Sequence, residues 1–335
     1  MDLSEIGEFG LIQRIRQIIG TETPPLIKGI GDDAAVIASQ RGAAILVTTD
    51  AMVEGRHFLR RWMPSRQIGF RAAAAALSDI AAMGGAADAI LCTLSLPPTG
   101  TVEEAEGLVG GIQAVAGRFG VSLAGGDIVA ADGPLLIDIV VVGHAQRDNL
   151  WLRENARVGD RVLVTGALGN PAAAIALLGS RHSGRRADFP QLMQSLTAPV
   201  PRLELAAALA PLGKVHAAID ISDGLLQDAG HIATASGVAL QLQASELPVA
   251  GQLLDCADLI GADPLSWAAA GGEDFELLLT ASAADVTDLQ AAARELAVSL
   301  SDIGAVTAGS DAHLLADDGQ EIPLVTAGWD HFRGA

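Results

Sequence analysis

The run Asp160-Arg161-Val162-Leu163-Val164-Thr165-Gly166 decides the fold. Its apolar centre, closed by Thr-Gly, reads as a buried strand, and Pro171 to Leu178 follows it as a helix. Just upstream, Ala145 to Asn155 is polar and interrupts the apolar runs on either side. Asp160 therefore restarts an α/β pattern, and the boundary is expected at about 146–150, dividing the chain into 1–147 and 148–335.

The same interleaving holds outward in both directions. On the N-terminal side, residues 5–19 carry Ile6, Phe9, Ile12, Ile15 and Ile19 at helical spacing. Residues 34–38 and 44–49 read as buried strands, and residues 66–83 as an alanine-rich helix stopped by Gly84-Gly85. Strands are expected at 90–96, 121–124 and 135–142, with a helix at 103–119. On the C-terminal side, 202–212 and 225–236 read as helices. Residues 217–221, 239–243 and 275–280 read as strands, and 180–188 as an exposed loop. This is a layered α/β chain of two domains.

Composition narrows the function. The chain has 335 residues, 21 Lys+Arg against 40 Asp+Glu, and a formal charge of −19. Such acidity opposes a nucleic-acid surface. It still admits anionic substrates when cations stand between. No long apolar run predicts a membrane span, and the first residues do not read as a signal peptide, so a cytoplasmic protein is expected. Cys92 and Cys256 are too far apart for a CxxC motif and read as buried thiols.

Aspartates recur beside Gly, Ser or Thr, and most are expected at strand ends. They occur in Gly29-Ile-Gly-Asp32-Asp33-Ala34, Thr48-Thr49-Asp50, Ser78-Asp79, Gly125-Gly126-Asp127 and Asp220-Ile-Ser222-Asp223-Gly224. Each alone reads equally as a turn or a cap. Asp79 is harder to dismiss, because its helix is otherwise apolar and a buried unpaired carboxylate is costly. Gathered carboxylates must protonate or bind cations. With hydroxyl neighbours they are hard oxygen ligands suited to Mg²⁺ and phosphates.

Two decoys fall away. Gly29-Ile-Gly31 fits a loose GxGxxA pattern, but no clear strand precedes it and a strand follows. Gly213-Lys214-Val215 is no P-loop. Gly166-Ala-Leu-Gly169-Asn-Pro171 is either a plain turn or an anion-receiving helix start. Gly271-Gly-Glu273-Asp274-Phe-Glu276 is either a loop or a ligand-facing segment.

The ordered set Gly7-Glu8-Phe9, Gly29–Ala34, Thr48–Asp50, Val53–Phe58, Leu77–Gly84, Gly125–Asp127, Ala218–Leu225 and Gly271–Glu276 resembles the thiamine-monophosphate kinase family. That family lies within the aminoimidazole ribonucleotide synthetase-like superfamily. The resemblance implies two α/β domains, the first pairing its sheet with a second subunit's in a barrel-like homodimer core. It implies transfer of the ATP γ-phosphate to thiamine phosphate, giving thiamine diphosphate, with several Mg²⁺ ions. By resemblance, Asp33, Thr48, Thr49, Asp50, Asp79, Asp127, Asp220 and Asp223 are metal ligands. Gly126, Asp127, Arg153 and Ser222 fall at the ATP site, and His57, Glu273 and Trp329 at the thiamine phosphate site. Asp32 is placed less firmly than Asp33. Arg56, Arg71 and Trp329 depart from the family pattern. No general base is expected, because the acceptor phosphate is itself a nucleophile. Rival readings are a selenophosphate synthetase or aminoimidazole ribonucleotide synthetase, and a non-catalytic metal-binding protein. The absence of a cysteine in the first 90 residues counts against the first.

Overall fold

The computed structural model describes residues 3–19, 24–39, 42–324 and 328–329, with the side chains of residues 3, 4 and 6 left aside. The elements in chain order are α1 (Leu3–Ile19), β1 (Leu26–Lys28), β2 (Ala35–Ala38), β3 (Ala43–Val53), α2 (Ser65–Ala82), β4 (Ala86–Leu96), α3 (Val102–Arg118), β5 (Ser122–Ala130) and β6 (Leu136–Gln146). There follow β7 (Asp160–Thr165), α4 (Asn170–Gly179), α5 (Pro190–Thr197), α6 (Leu203–Leu209), β8 (Val215–Asp220), α7 (Leu225–Ser236) and β9 (Ala239–Gln243). The last are α8 (Gly251–Ile260), α9 (Pro264–Ala270), β10 (Leu277–Ser282), α10 (Val286–Glu295), β11 (Leu300–Thr307) and β12 (Ala312–Leu315). Two six-stranded sheets result, in the orders β1-β2-β3-β6-β4-β5 and β12-β9-β11-β7-β10-β8. Both are largely antiparallel; the β4/β5 and β12/β9 pairs are parallel. Within one chain the first sheet is open, with β1 and β5 at its edges.

Helix α2 explains how the halves meet. It contacts β3 and β6 on one side and α5, α6 and β8 on the other. A helix enclosed on all sides must be apolar nearly all round, and Ala72–Ala76 are all buried. Small residues also permit backbone contact with α3. A Cβ on Gly69 would lie 2.0 Å from Leu108 O, and one on Gly111 2.0 Å from Arg66 O. The glycine stop is realised: Gly84 takes φ 67°, and Trp151 of the connecting segment packs under it at 1 % exposure.

Several expectations need correction. Strand β1 does precede the Gly29–Ala34 loop, although it is only three residues long. Strand β5 runs on to Ala130, because the Gly-Gly pair stays paired to β4 instead of ending the strand. Phe275 stands outside β10, since its φ of 50° is incompatible with an extended strand. Residues 183–188 form an exposed 3-10 turn. The described isoleucines of the expected row in α1 are not buried: Ile12 is 36 %, Ile15 39 % and Ile19 63 % exposed. The helix is held near its start, by Phe9 against the ring of His231 at 4.8 Å, and its second half stays open.

Candidate active site

The polar residues of α2 mark the site. Thr48 Oγ1 on β3 donates to Asp79 Oδ2 at 2.5 Å. Asp33 approaches from the loop before β2, and Asp220 from the end of β8. Carboxylate oxygens of Asp33, Asp79 and Asp220 lie within 4.8 Å of one another. Burial, then the charges of Asp220, Asp33 and Asp50, push the Asp79 carboxyl well above its ordinary range. Asp220 is raised likewise, by burial first and then by Asp33, with partial relief from Ser78 and Arg153.

Arg153 supplies the local positive charge. Its Nη2 donates to Asp33 Oδ1 at 2.7 Å and its Nε to Asp33 Oδ2 at 3.3 Å. Its backbone N–H donates to Asp32 Oδ2 at 3.2 Å, and Ser236 Oγ anchors its carbonyl at 2.7 Å. Asp32 is nonetheless raised to about 7 by burial and then by Asp33, which Arg153 and Lys28 only partly offset. The cluster thus holds more negative charge than its arginine answers. A compact set of hard oxygen donors short of positive charge fits Mg²⁺.

The loop after β8 organises a second group. Asp228 Oδ2, one turn into α7, accepts from the amides of Ser222, Asp223 and Gly224 at 3.0, 3.1 and 3.1 Å. The pairing of β8 with β10 continues past the strand ends, so Glu273 N donates to Ser222 O at 2.7 Å. Trp329 N donates to Asp223 O at 3.1 Å, and Gln227 Nε2 donates to Trp329 O at 2.7 Å. Glu273 and Trp329 therefore hang from adjacent residues of one loop. Glu273 takes φ 62°, a left-handed conformation that costs energy outside glycine. Arg71 Nη2, on α2, makes an ion pair with Glu273 Oε2.

The structure does not gather every expected residue. Thr48, Thr49, Asp50 and Asp127 lie inside β3 and β5, not at strand ends. Alternation along β3 puts Thr48 on the buried face and Thr49 on the exposed one, where its hydroxyl donates to Asp138 Oδ1 at 2.7 Å. The register Asp50–Ile139–Cys92–Gly126 places β5 three strand spacings from Asp50, about 14 Å away. Asp127 is exposed there, its Oδ1 accepting from Ile128 N. At Gly126 a Cβ would lie 1.8 Å from Cys92 O, so no larger residue fits. His57 Nδ1 accepts from Val53 N at 2.9 Å, which leaves Nε2 as the protonated nitrogen.

Asp228 went unrecognised in the sequence, and Ser78 was noted only as the hydroxyl neighbour of Asp79, without a role of its own. Asp228 had a usable signal, a carboxylate just inside a helix whose preceding loop has free amides. Ser78 had none beyond its place next to Asp79.

Comparisons with known proteins place the whole chain in one family. The N-terminal domain of AIR synthase related proteins matches residues 31–145, and the C-terminal domain matches residues 157–316. Thiamine-monophosphate kinase of Rhodopirellula baltica is 38 % identical, over 77 % of each chain. That of Salmonella typhimurium is 32 % identical, over 97 % of this chain and 98 % of its own. A solved structure, AaThiL complexed with AMPPCP and TMP, is 30 % identical, covers 99 % of each chain and superposes with a TM-score of 0.84. With two matched domains and full-length relatives, this chain belongs to the thiamine-monophosphate kinase family of AIR synthase related enzymes.

Proposed function

We propose that the chain transfers the γ-phosphate of ATP directly to thiamine phosphate, forming thiamine diphosphate and ADP with the help of Mg²⁺. The observation that carries this reading is the convergence of Asp33, Asp79 and Asp220 from both halves of the chain, next to Arg153 and the Ser222–Gly224 loop to which Glu273 and Trp329 are hydrogen-bonded. It is supported by the likeness to a solved relative holding AMPPCP and TMP.

Bound Mg²⁺ would neutralise phosphate charge and hold both substrates' phosphates near the carboxylates. Asp33, Asp79 and Asp220 would be its nearest ligands, with Thr48 and Asp50 beside them. Asp223, Asp127 and Thr49 are assigned to metal by the family resemblance alone: Asp127 lies on exposed β5, and the Thr49 hydroxyl faces away from the cluster toward Asp138. Arg153, Ser222, Gly126 and Asp127 are assigned to ATP. Glu273 would accept from an N–H donor of the acceptor substrate, Trp329 would stack on its ring, and His57 would donate through Nε2–H. The acceptor phosphate has a second pKa of about 6, so no residue needs to remove a proton. The enzyme's task is in-line positioning and charge compensation.

We assign 1–147 to ATP and metal binding and dimerisation, and 148–335 to completing the site. The open face of the first sheet carries Ile45 and Leu91, 36 % and 39 % exposed, which suits a homodimer closed over that face. No helix among the described residues is long and apolar enough to cross a membrane. We place the reaction in the cytoplasm, where ATP is supplied. Mass-spectrometric analysis of the chain with ATP, MgCl₂ and thiamine phosphate tests the reading. Thiamine diphosphate and ADP should appear one-to-one, and EDTA should abolish both; no product from folded protein refutes it.

A further inference from the structure

Arg71 occupies a place where alanine is the rule. It sits on α2, which is enclosed by both halves of the chain, and is 1 % exposed. Its Nη2 forms an ion pair with Glu273 Oε2 from the C-terminal half. Among the described residues, none of its three nitrogens makes a hydrogen bond, although all are shut off from water; the contact of Nη2 with Glu273 Oε2 is an ion pair alone. A guanidinium has five donors, and burying it with donors unfilled is costly. A purely structural role is better served by an apolar residue.

What Arg71 holds is an unusual carboxylate. Glu273 sits in left-handed backbone, its amide fixed to Ser222 O and its Oε2 taken by Arg71. Its side chain is 24 % exposed, and Oε1 is left unclaimed by Arg71. The ion pair thus leaves one defined oxygen for a ligand. It is held from α2, the helix that also carries Asp79.

We propose that Arg71 is a positioning residue for the acceptor substrate: it fixes the Glu273 carboxylate so that Oε1 meets an N–H donor or cationic ring. This rests on the proposed function above. Affinity for the acceptor then depends on an ion pair between the two halves of the chain, whereas ATP affinity does not. Lysine at this position would keep the charge and lose the fixed fork of the guanidinium.

The test compares steady-state kinetics of the wild-type chain with Arg71→Lys, Arg71→Met, Glu273→Gln and the double variant Arg71→Met/Glu273→Gln. Arg71→Met should raise the KM for thiamine phosphate about tenfold, the scale of one charge-assisted contact. The KM for ATP and kcat should stay within about threefold. Arg71→Lys should recover only part of the loss, the part due to charge. The double variant removes both charges together, so it keeps the fold even if Arg71→Met alone does not. It should match Glu273→Gln, because the pair acts as a unit. An unchanged acceptor KM in Arg71→Met, equal losses for both substrates, or additive losses in the double variant would overturn the proposal. A wild-type chain without turnover would sink the functional reading and this inference together; turnover with an unaltered variant would sink this inference alone.

Discussion

Thr48 Oγ1 and Asp79 Oδ2 stand 2.5 Å apart and join the sheet of the first half to the helix shared by both halves. The bond supports a carboxylate that the fold otherwise disfavours, since burial and Asp220 both raise it. Asp79→Asn should therefore raise stability in EDTA by about 1 kcal/mol or more. The same change should lower turnover at least about a hundredfold. Urea midpoints and product formation on one preparation check both signs. A variant that is active at the wild-type rate removes Asp79 from the site.

Cation binding should be visible as a thermal shift. Ligands that bind only the folded state stabilise it by mass action. MgCl₂ is expected to raise Tm in the wild-type chain. The gain should shrink in Asp33→Asn and Asp220→Asn, whose carboxylates meet at the cluster. Equal gains in all three would place the cation elsewhere.

Arg153 is the counter-charge for Asp33, at 2.7 Å. Removing one partner of a buried pair strands the other. Arg153→Met should cost about 3–5 kcal/mol in urea unfolding, and adding Asp33→Asn should recover part of it. A single variant as stable as wild type would show that the pair contributes little.

Asp274 gives a pH dependence. Burial raises its carboxyl well above the ordinary 3.8, against a partial lowering by the Gly169 amide. A folded-state pKa raised above the unfolded value stabilises the protein below that unfolded value, and the benefit is lost as pH rises toward the folded one. The slope is at most about 1.4 kcal/mol per pH unit. Asp274→Asn lacks this term, so its stability relative to wild type should improve from pH 5 to pH 8. Parallel stability curves would contradict it.

Leu91 tests the proposed dimer. On the open face of the first sheet it pairs across to Val140. Leu91→Lys would bury a charge in a closed interface. Light scattering should show a wild-type dimer and a monomeric variant. A wild-type monomer ends that assignment.

Much of the arrangement was legible in residue order. The alanine-rich stretch 66–83 announced a helix, and the unit restarting at Asp160 announced the second sheet. Helices α5, α8, α9 and α10 and strands β1, β11 and β12 were not read: the helices are only seven to ten residues long, β1 and β12 three and four, and β11 is broken by Ser301, Asp302 and Gly304. Asp33, Asp79 and Asp220 stood out because acids beside small or hydroxylated residues are unusual in apolar surroundings. What the sequence concealed was direction. Thr49 follows Thr48 yet faces the other way, and strand alternation shows this only once the register is known. Arg71 looked like an ordinary substitution until its burial and its partner Glu273 were seen.

Helix α2 touches β3 and β6 of one sheet and β8 of the other. The two halves look like separable modules along the chain, yet neither has a complete interior without this helix. Exchange of C-terminal halves between relatives would import strands and loops shaped against a different α2. Such chimaeras should succeed only when the face of α2 travels with them, so the heritable module is the matched pair.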